Sequence, residues 1–286
     1  MKYLVDIPDE IALQAKGMTR QKLAKAVNIS DRKASFIKSV VSEGENHNPV
    51  FRRRGNGEIV GVIGDPHIPF VHPKYLAFCQ ETFELQGVTT VVCIGDVVDN
   101  HALSFFTPNP DAHSPKDELE LTRERLKPWK EAFPEMKICF GNHDIRPMRK
   151  AKEAQIPSAM LRTPNEIWDT PPEWDWQRSH TIDGVLYRHK FKSGPNAPRL
   201  SAISSRSSVV FGHLHSVAGV AWNCSVNNRV FGMCVGCGID IDKYAFEYAE
   251  DTIERPILGC GIVRYGKEAY FVPMPLEHHK YRRVKP

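Results

Sequence analysis

Between residues 58 and 275, short apolar runs alternate with longer stretches of mixed polarity. Ile59-Val60-Gly61-Val62-Ile63 is apolar throughout and rich in β-branched side chains, the pattern of a buried strand. Thr89-Thr90-Val91-Val92-Cys93-Ile94 repeats it, and so does the run from Met136 to Phe140. The intervening stretches, about 73–87 and 116–131, mix apolar and charged positions as helices do. Val185-Leu186-Tyr187-Arg188 and Ser208-Val209-Val210-Phe211 predict two further strands. From 217 onward the pattern is mostly strand, over 217–222, 229–235, 258–264 and 268–273, with Gly266-Lys267 as the last turn. This alternation predicts an α/β fold.

The strand ends carry a second pattern. The first strand runs into Gly64-Asp65-Pro66-His67, the second into Gly95-Asp96-Val97-Val98-Asp99-Asn100, and the third into Gly141-Asn142-His143-Asp144. The later two end at His189 and at Gly212-His213-Leu214-His215. Loops at the carboxyl ends of neighbouring strands converge in α/β proteins, so these side chains are expected to meet. A lone Asp or His at a strand end is ordinarily a cap or a satisfied polar group, but five such ends in one chain are not explained that way. Asp65, His67, Asp96, Asn142, His189, His213 and His215 offer three oxygen and four imidazole donors. That set exceeds one tetrahedral ion and suits two adjacent divalent ions of octahedral type, bridged by Asp96. A nitrogen and oxygen set without thiolate points to Mn first, with Fe, Co, Ni or Zn as alternatives, rather than Mg or Cu(I). Two such ions clamp a phosphate and acidify a bridging water, whose hydroxide attacks phosphorus in line. His143 is expected above the phosphate, stabilising charge or protonating the leaving oxygen, with Asp99 behind it. His180 lies close enough to His189 in the chain to compete with it.

Charge and composition refine the picture. The chain has 286 residues with 41% hydrophobic and 25% charged positions, and it contains no apolar run long enough to span a membrane. Its acidic start is not that of a secretory leader, so a cytoplasmic protein is expected. Seven cysteines, several inside strand-like runs, read as reduced core thiols, with a zinc quartet of Cys224, Cys234, Cys237 and Cys260 as the alternative. Residues 1–57 carry eleven Lys/Arg against six Asp/Glu, and 278–286 add four cations, leaving 58–277 acidic. Basic ends on an acidic body imply an anionic partner for the ends. Residues 20–27 predict a short helix, Asn28-Ile29-Ser30 a turn, and the run to about Val41 a second helix. The arrangement resembles a helix-turn-helix, whose second helix would turn Arg32, Lys33 and Lys38 outward to nucleic acid. A small helical docking appendage is the other reading. The expected organisation is a helical segment over 1–45, a basic polar linker over 46–57, a catalytic domain over 58–277 and a basic tail over 278–286.

D-x-H, G-D-x-x-D, G-N-H-D, an isolated His and G-H-x-H, in this order, are similar to the motifs of the calcineurin-like metallophosphoesterases. The resemblance implies a four-layer α/β/β/α sandwich. It also implies one ion on Asp65, His67, Asp96 and His215, and another on Asp96, Asn142, His189 and His213. The layout is also similar to phosphoesterases carried by bacteriophage genomes. Protein phosphatases of this superfamily place Arg after the G-D-x-x-D motif, whereas this chain has Asn100. Loss of that clamp on a phosphate dianion implies a diester substrate, nucleic acid or nucleotide, with Arg146, Arg149 and Lys150 on flanking phosphates. A phosphomonoesterase and a DNA-binding regulator with a mainly structural metal site are the alternatives.

Overall fold

A computed structural model describes residues 18–26, 34, 57–105, 111–240 and 254–275. The chain divides into two compact units, Met1–Asn56 and Gly57–Pro286. In the first, helix α1 (Arg20–Ala26) follows Thr19 and buries Leu23 and Ala24. The expected second helix, with Arg32, Lys33 and Lys38, lies outside the described residues apart from Ala34, which is buried. Most of the linker and the whole basic tail lie outside them too.

In chain order the second unit runs β1 (Ile59–Ile63), α2 (Tyr75–Gln86), β2 (Thr90–Cys93), α3 (Pro115–Ala132) and β3 (Met136–Cys139). It continues through α4 (Arg146–Glu153), α5 (Pro164–Trp168), β4 (Trp174–Gln177), β5 (His180–Ile182), β6 (Val185–Tyr187) and α6 (Ala197–Ser205). The closing strands are β7 (Val209–Phe211), β8 (Ala218–Cys224), β9 (Arg229–Val235), β10 (Gly259–Arg264) and β11 (Glu268–Pro273). One sheet has the order β11-β10-β1-β2-β3-β4, the other β5-β6-β7-β9-β8. β1 to β4 are parallel, as are β6, β7 and β9, while β10, β11, β5 and β8 pair antiparallel at the flanks.

β1 shows why its run is apolar at every position. Val60 and Val62 face the second sheet, in a core shared with Val92, Ile94, Tyr187, Val210, Phe231 and Met233. Ile59 and Ile63 face the opposite way, among Tyr75 and Phe83 of α2 and Leu126 and Trp129 of α3. Each such buried aliphatic side chain contributes about 1.5–3 kcal/mol. Gly61 lets α2 close on the strand, because a Cβ there would sit 2.9 Å from the Phe83 ring. On the far side, Ala197 and Ala202 of α6 pack against Val209, Phe211 and Cys234. The layers are therefore helix, sheet, sheet, helix, the expected α/β/β/α sandwich. The parallel runs of both sheets place their carboxyl ends together, and the metal-type loops emerge there.

α3 begins at Ser114, whose hydroxyl accepts the Asp117 N–H, with Pro115 in the first turn. Its inward stripe is Glu118, Thr122, Leu126 and Trp129. Only the first of these carries a charge, and it faces the loop after β2. Among the described residues no helix is long and apolar enough to cross a membrane.

Candidate metal centre

Each loop delivers its side chain by local backbone chemistry. Gly141 and Gly212 leave room for carboxylates: a Cβ on either would lie 2.1 Å from Asp96 Oδ1 or Asp65 Oδ1. His67, Asp96 and His213 hold left-handed backbones with φ of 52°, 45° and 66°. Non-glycine residues in that region carry about 1–3 kcal/mol of strain each, which surrounding structure must outweigh. Three of the nine non-glycine residues with positive φ among the described residues thus fall within this one cluster of polar side chains.

The side chains form overlapping groups. Donor atoms of Asp65, His67 and His215 lie within 4.8 Å of one another, and so do those of Asp96, His189 and His213 and those of His67, Asp96 and His143. His67 Nε2 is 3.2 Å from His215 Nε2 and 3.7 Å from Asp96 Oδ2, and His215 Nε2 is 3.4 Å from Asp65 Oδ2. On the other side, His189 Nε2 lies 3.2 Å from Asp96 Oδ2 and 3.0 Å from Asn142 Oδ1. Asp96 Oδ2 thus stands between the first two groups, where a bridging carboxylate belongs, while its Oδ1 accepts the His143 N–H at 2.7 Å. Asp65 is held likewise, its Oδ2 accepting the His213 N–H at 2.6 Å.

Whether cations fit can be judged from these contacts. Donors about 2.1 Å from an ion stand about 3.0–3.4 Å apart along octahedral or tetrahedral edges, close to most of the separations seen. Asp65 Oδ1 and His189 Nδ1 are buried without hydrogen-bond partners. A buried carboxylate oxygen without a partner is costly unless a cation or donor reaches it. The residues present therefore fit divalent cations.

Proton affinities follow the same crowding. Burial and the neighbouring His143 lower the His67 pKa, so this ring is neutral and ready to ligate. Burial, then His189 and Lys190, bring His213 down to about 4. Burial opposes the charged form of His189, but Asp96 and Asp65 outweigh it and raise the ring to about 9. Burial pushes the Asp96 carboxyl up, yet His189 and His143 hold it well below the ordinary carboxylate range.

Beside this cluster lies a proton-handling pair. Asp99 Oδ1 accepts from His67 Nδ1 at 2.6 Å, while His143 Nδ1 donates to the Asp99 backbone carbonyl at 2.8 Å and stands 2.9 Å from Oδ1. Burial disfavours the Asp99 charge, but these two histidines more than restore it and lower its pKa. His143 is raised to about 9, because Asp96 and Asp99 outweigh its burial. The ring stands edge-on to His67, with centroids 4.5 Å apart.

The other predicted residues fall into four places. Arg146 opens α4 and turns back, donating from Nη1 to the carbonyls of Asp99 at 2.9 Å and Asn100 at 3.0 Å, with Nη2 3.2 Å from His143 Nε2. Arg149 and Lys150 lie over the Phe105 ring, 4.2 and 4.1 Å from its centroid. His180 sits in β5 and donates from Nε2 to the Ile138 carbonyl at 3.0 Å, away from the cluster that contains His189. Cys224 is exposed, whereas Cys234, Cys237 and Cys260 are buried, and no described cysteine joins a metal-type cluster.

Two residues that organise the site lie outside the sequence-derived set. Asp144 accepts from Gly141 N at 2.8 Å and from Val98 N at 3.1 Å, tying the loop after β3 to the loop after β2. Burial and Asp96 raise its pKa to about 7 against the pull of those two bonds. Glu118 accepts from the backbone of His101 and Ala102, both at 2.7 Å, and so fixes the turn that follows Asp99. Asp144 was visible as the fourth residue of its motif; Glu118 acts across 17 positions and left no local signal.

The model of the calcineurin-like phosphoesterase family matches residues 59–217. Solved structures similar to this chain include Vacuolar Protein Sorting 29 from Cryptosporidium parvum, at 12% identity, covering 72% of this chain and 84% of that one, with a TM-score of 0.37. The phosphoesterase Yfce from E. coli is 12% identical over 76% of this chain and 98% of its own, with a TM-score of 0.34. The nuclease MPE of Pseudomonas putida is 12% identical over 75% and 87%, with a TM-score of 0.33. Among curated proteins nothing matches.

Proposed function

The chain belongs to the calcineurin-like phosphoesterase family, and on that premise we propose that it is a dinuclear metal-dependent phosphodiesterase acting on nucleic acid or a nucleotide diester. The observation that carries the reading is the position of Asp96 Oδ2 between His67 and His189, each belonging to its own donor group. Asp65, His67, Asp96 and His215 would hold one divalent ion, and Asp96, Asn142, His189 and His213 the other. Manganese is the first expectation, given imidazole and carboxylate donors without thiolate. Bound there, the ions supply Lewis-acid polarisation of the phosphate and a water acidic enough to react near neutral pH.

The chain's own residues do the rest. Asp99 fixes His143 with Nδ1–H turned inward, so Nε2 is the nitrogen that serves substrate. Protonated, Nε2 donates to the leaving oxygen; neutral, it accepts from Arg146. Protonation of Nε2 thus releases the Arg146 Nη2–H towards the same opening, so the two donors act together on one phosphate. Asn100, where protein phosphatases carry an arginine, spends its amide on the His143 carbonyl at 3.0 Å. Its neutrality supports a singly charged diester over a dianionic monoester.

The test is turnover in Mn²⁺ of matched aryl phosphate diester and monoester, with Asp96→Asn and His143→Ala alongside. Diester preference lost in both variants is the expected result. Monoester preference would overturn the diester reading and make the protein a phosphomonoesterase. No turnover of either ester by the metal-loaded protein would leave a regulator with a structural metal site.

A further inference from the structure

Past β6 the chain reads Arg188-His189-Lys190-Phe191-Lys192, cations alternating with residues that turn inward. His189 faces the metal-type cluster and Phe191 packs against the α6 layer, in edge-on contact with Phe211. The cations line a cleft of about 360 Å³ with Phe191, Ser201, Ser204 and Ser205. No acidic side chain lines it, and no described residue forms an ion pair with Arg188, Lys190 or Lys192. Three like charges gathered without counter-charge repel one another, and that repulsion is relieved by an anion. The serine hydroxyls add donors suited to phosphate oxygens. Ser201 is held in place, since its hydroxyl accepts the Lys192 N–H at 3.2 Å.

We propose that this cleft binds backbone phosphate of a polynucleotide strand, flanking the diester held at the metal centre. The inference rests on the phosphodiesterase reading and names its substrate as a polynucleotide. Position argues for a strand over a free phosphate: cleft and metal centre are built on the same five residues, with His189 between Arg188 and Lys190. Lys190 directly follows the cluster residue His189, and Lys192 is two positions further on. A ligand bearing a single phosphate, seated on the metals, leaves the cleft unfilled. A strand has further phosphates to place there.

The test uses the full chain and an Arg188→Gln/Lys192→Gln variant, both exposed positions whose side chains belong to no metal-type group, with Lys190 left intact because His213 feels it. Three substrates are compared in Mn²⁺: an aryl diester, a short single-stranded DNA and a short single-stranded RNA. The variant is expected to raise KM for a strand about tenfold and to flatten the plot of log affinity against log salt by about 0.7 per lost phosphate contact. Aryl diester turnover keeps its KM and kcat, and the charge-conserving Arg188→Lys/Lys192→Arg chain keeps the strand KM of the parent. Whichever strand shows the effect identifies the nucleic acid.

Cleavage of strands with unchanged KM and salt slope in the variant overturns the cleft proposal and leaves the phosphodiesterase reading standing. Aryl diester turnover with neither cleavage nor binding of strands also overturns it, because the substrate is then a smaller diester. Loss of diester turnover in the unsubstituted chain sinks the underlying reading instead. In that case strand affinity, measured with Asp96→Asn protein, decides the cleft separately: an equal salt slope in both chains overturns it.

Discussion

Asp99 serves two histidines, His67 through Oδ1 and His143 through its backbone carbonyl beside that same oxygen, and this makes it more informative than either partner. Its bond to His67 Nδ1 leaves Nε2 as the free lone pair, and its bond to His143 Nδ1 sets the proton-transfer nitrogen. Asp99→Asn keeps the shape but removes the charge and half of the acceptor capacity. Partners that orient metal ligands in this way are worth about 10–100-fold in affinity or activity. The variant is expected to lose Mn²⁺ affinity by that factor, read by titration calorimetry, and to lose turnover as well. His143→Ala should instead lower kcat by about 10²–10⁴-fold with metal affinity intact, because the proposed ligand sets leave His143 out. Equal metal binding in Asp99→Asn and the parent would sever Asp99 from His67. The same ring predicts a pH profile. His143 is raised to about 9, so its protonated form is present below that value and lost as pH rises through it. Cations that neutralise Asp96 bring the loss to lower pH. The alkaline limb of kcat should therefore vanish in His143→Ala; a limb that survives belongs to another group.

At the scale of elements, the loops matter through what ties them to one another. Asp144 bonds the loop after β3 to the backbone of Val98 after β2, with both oxygens occupied. Asp144→Asn turns one acceptor into a donor facing an N–H, leaving a buried amide unpaired. The expected cost is about 1–3 kcal/mol in urea unfolding, together with lost turnover, since the two loops carry Asp96, Asp99, Asn142 and His143. Unchanged stability would mean that the amide finds another partner. The strands bearing these loops were legible because β1, β2, β3, β6 and β7 are apolar runs ending in glycine or histidine, and their topology makes those ends meet. The elements left unread had weaker signals. β4 spells Trp174-Asp175-Trp176-Gln177, where two indoles flank an acidic residue and obscure a strand only four residues long. β5 holds three residues, one of them His180, whose burial satisfies a backbone carbonyl. α6 is rich in serine and alanine, so its packing face lacks the large side chains by which helical periodicity is recognised. Among site residues, His189 was separated from His180 by geometry, because the two lie nine positions apart in one stretch of short strands. Arg146, read from sequence as a phosphate ligand, is tied to two carbonyls of the loop it faces, with its Nη2 beside His143 Nε2.

For the whole molecule, the donor cluster couples folding to protons and metal. In the metal-free chain His189 and His143 are raised to about 9, so each adds stability that is full below the ordinary histidine value and fades as pH climbs through about 9. Asp96 and Asp99 are lowered, so their contribution is present above the ordinary carboxylate value and disappears in acid. A chelator-treated sample is therefore expected to be most stable from weakly acidic to neutral pH and to lose Tm towards pH 9. Metal reverses that trend. A cation at His189 must displace the proton held there, whereas His67 and His213 are already neutral, so apparent affinity climbs with pH up to about 9 and then levels. A ligand that binds only the folded state stabilises it by about 2.7 kcal/mol at a hundredfold excess over Kd. The gap in Tm between Mn²⁺-loaded and chelated protein should consequently widen from pH 6 to pH 9, followed by scanning calorimetry at fixed free metal. His189→Gln keeps a neutral side chain without the proton to displace, and its smaller gap should be flat over that range. A gap independent of pH in the unsubstituted chain would mean that the cation does not compete for the His189 proton, and would remove His189 from the ligand set.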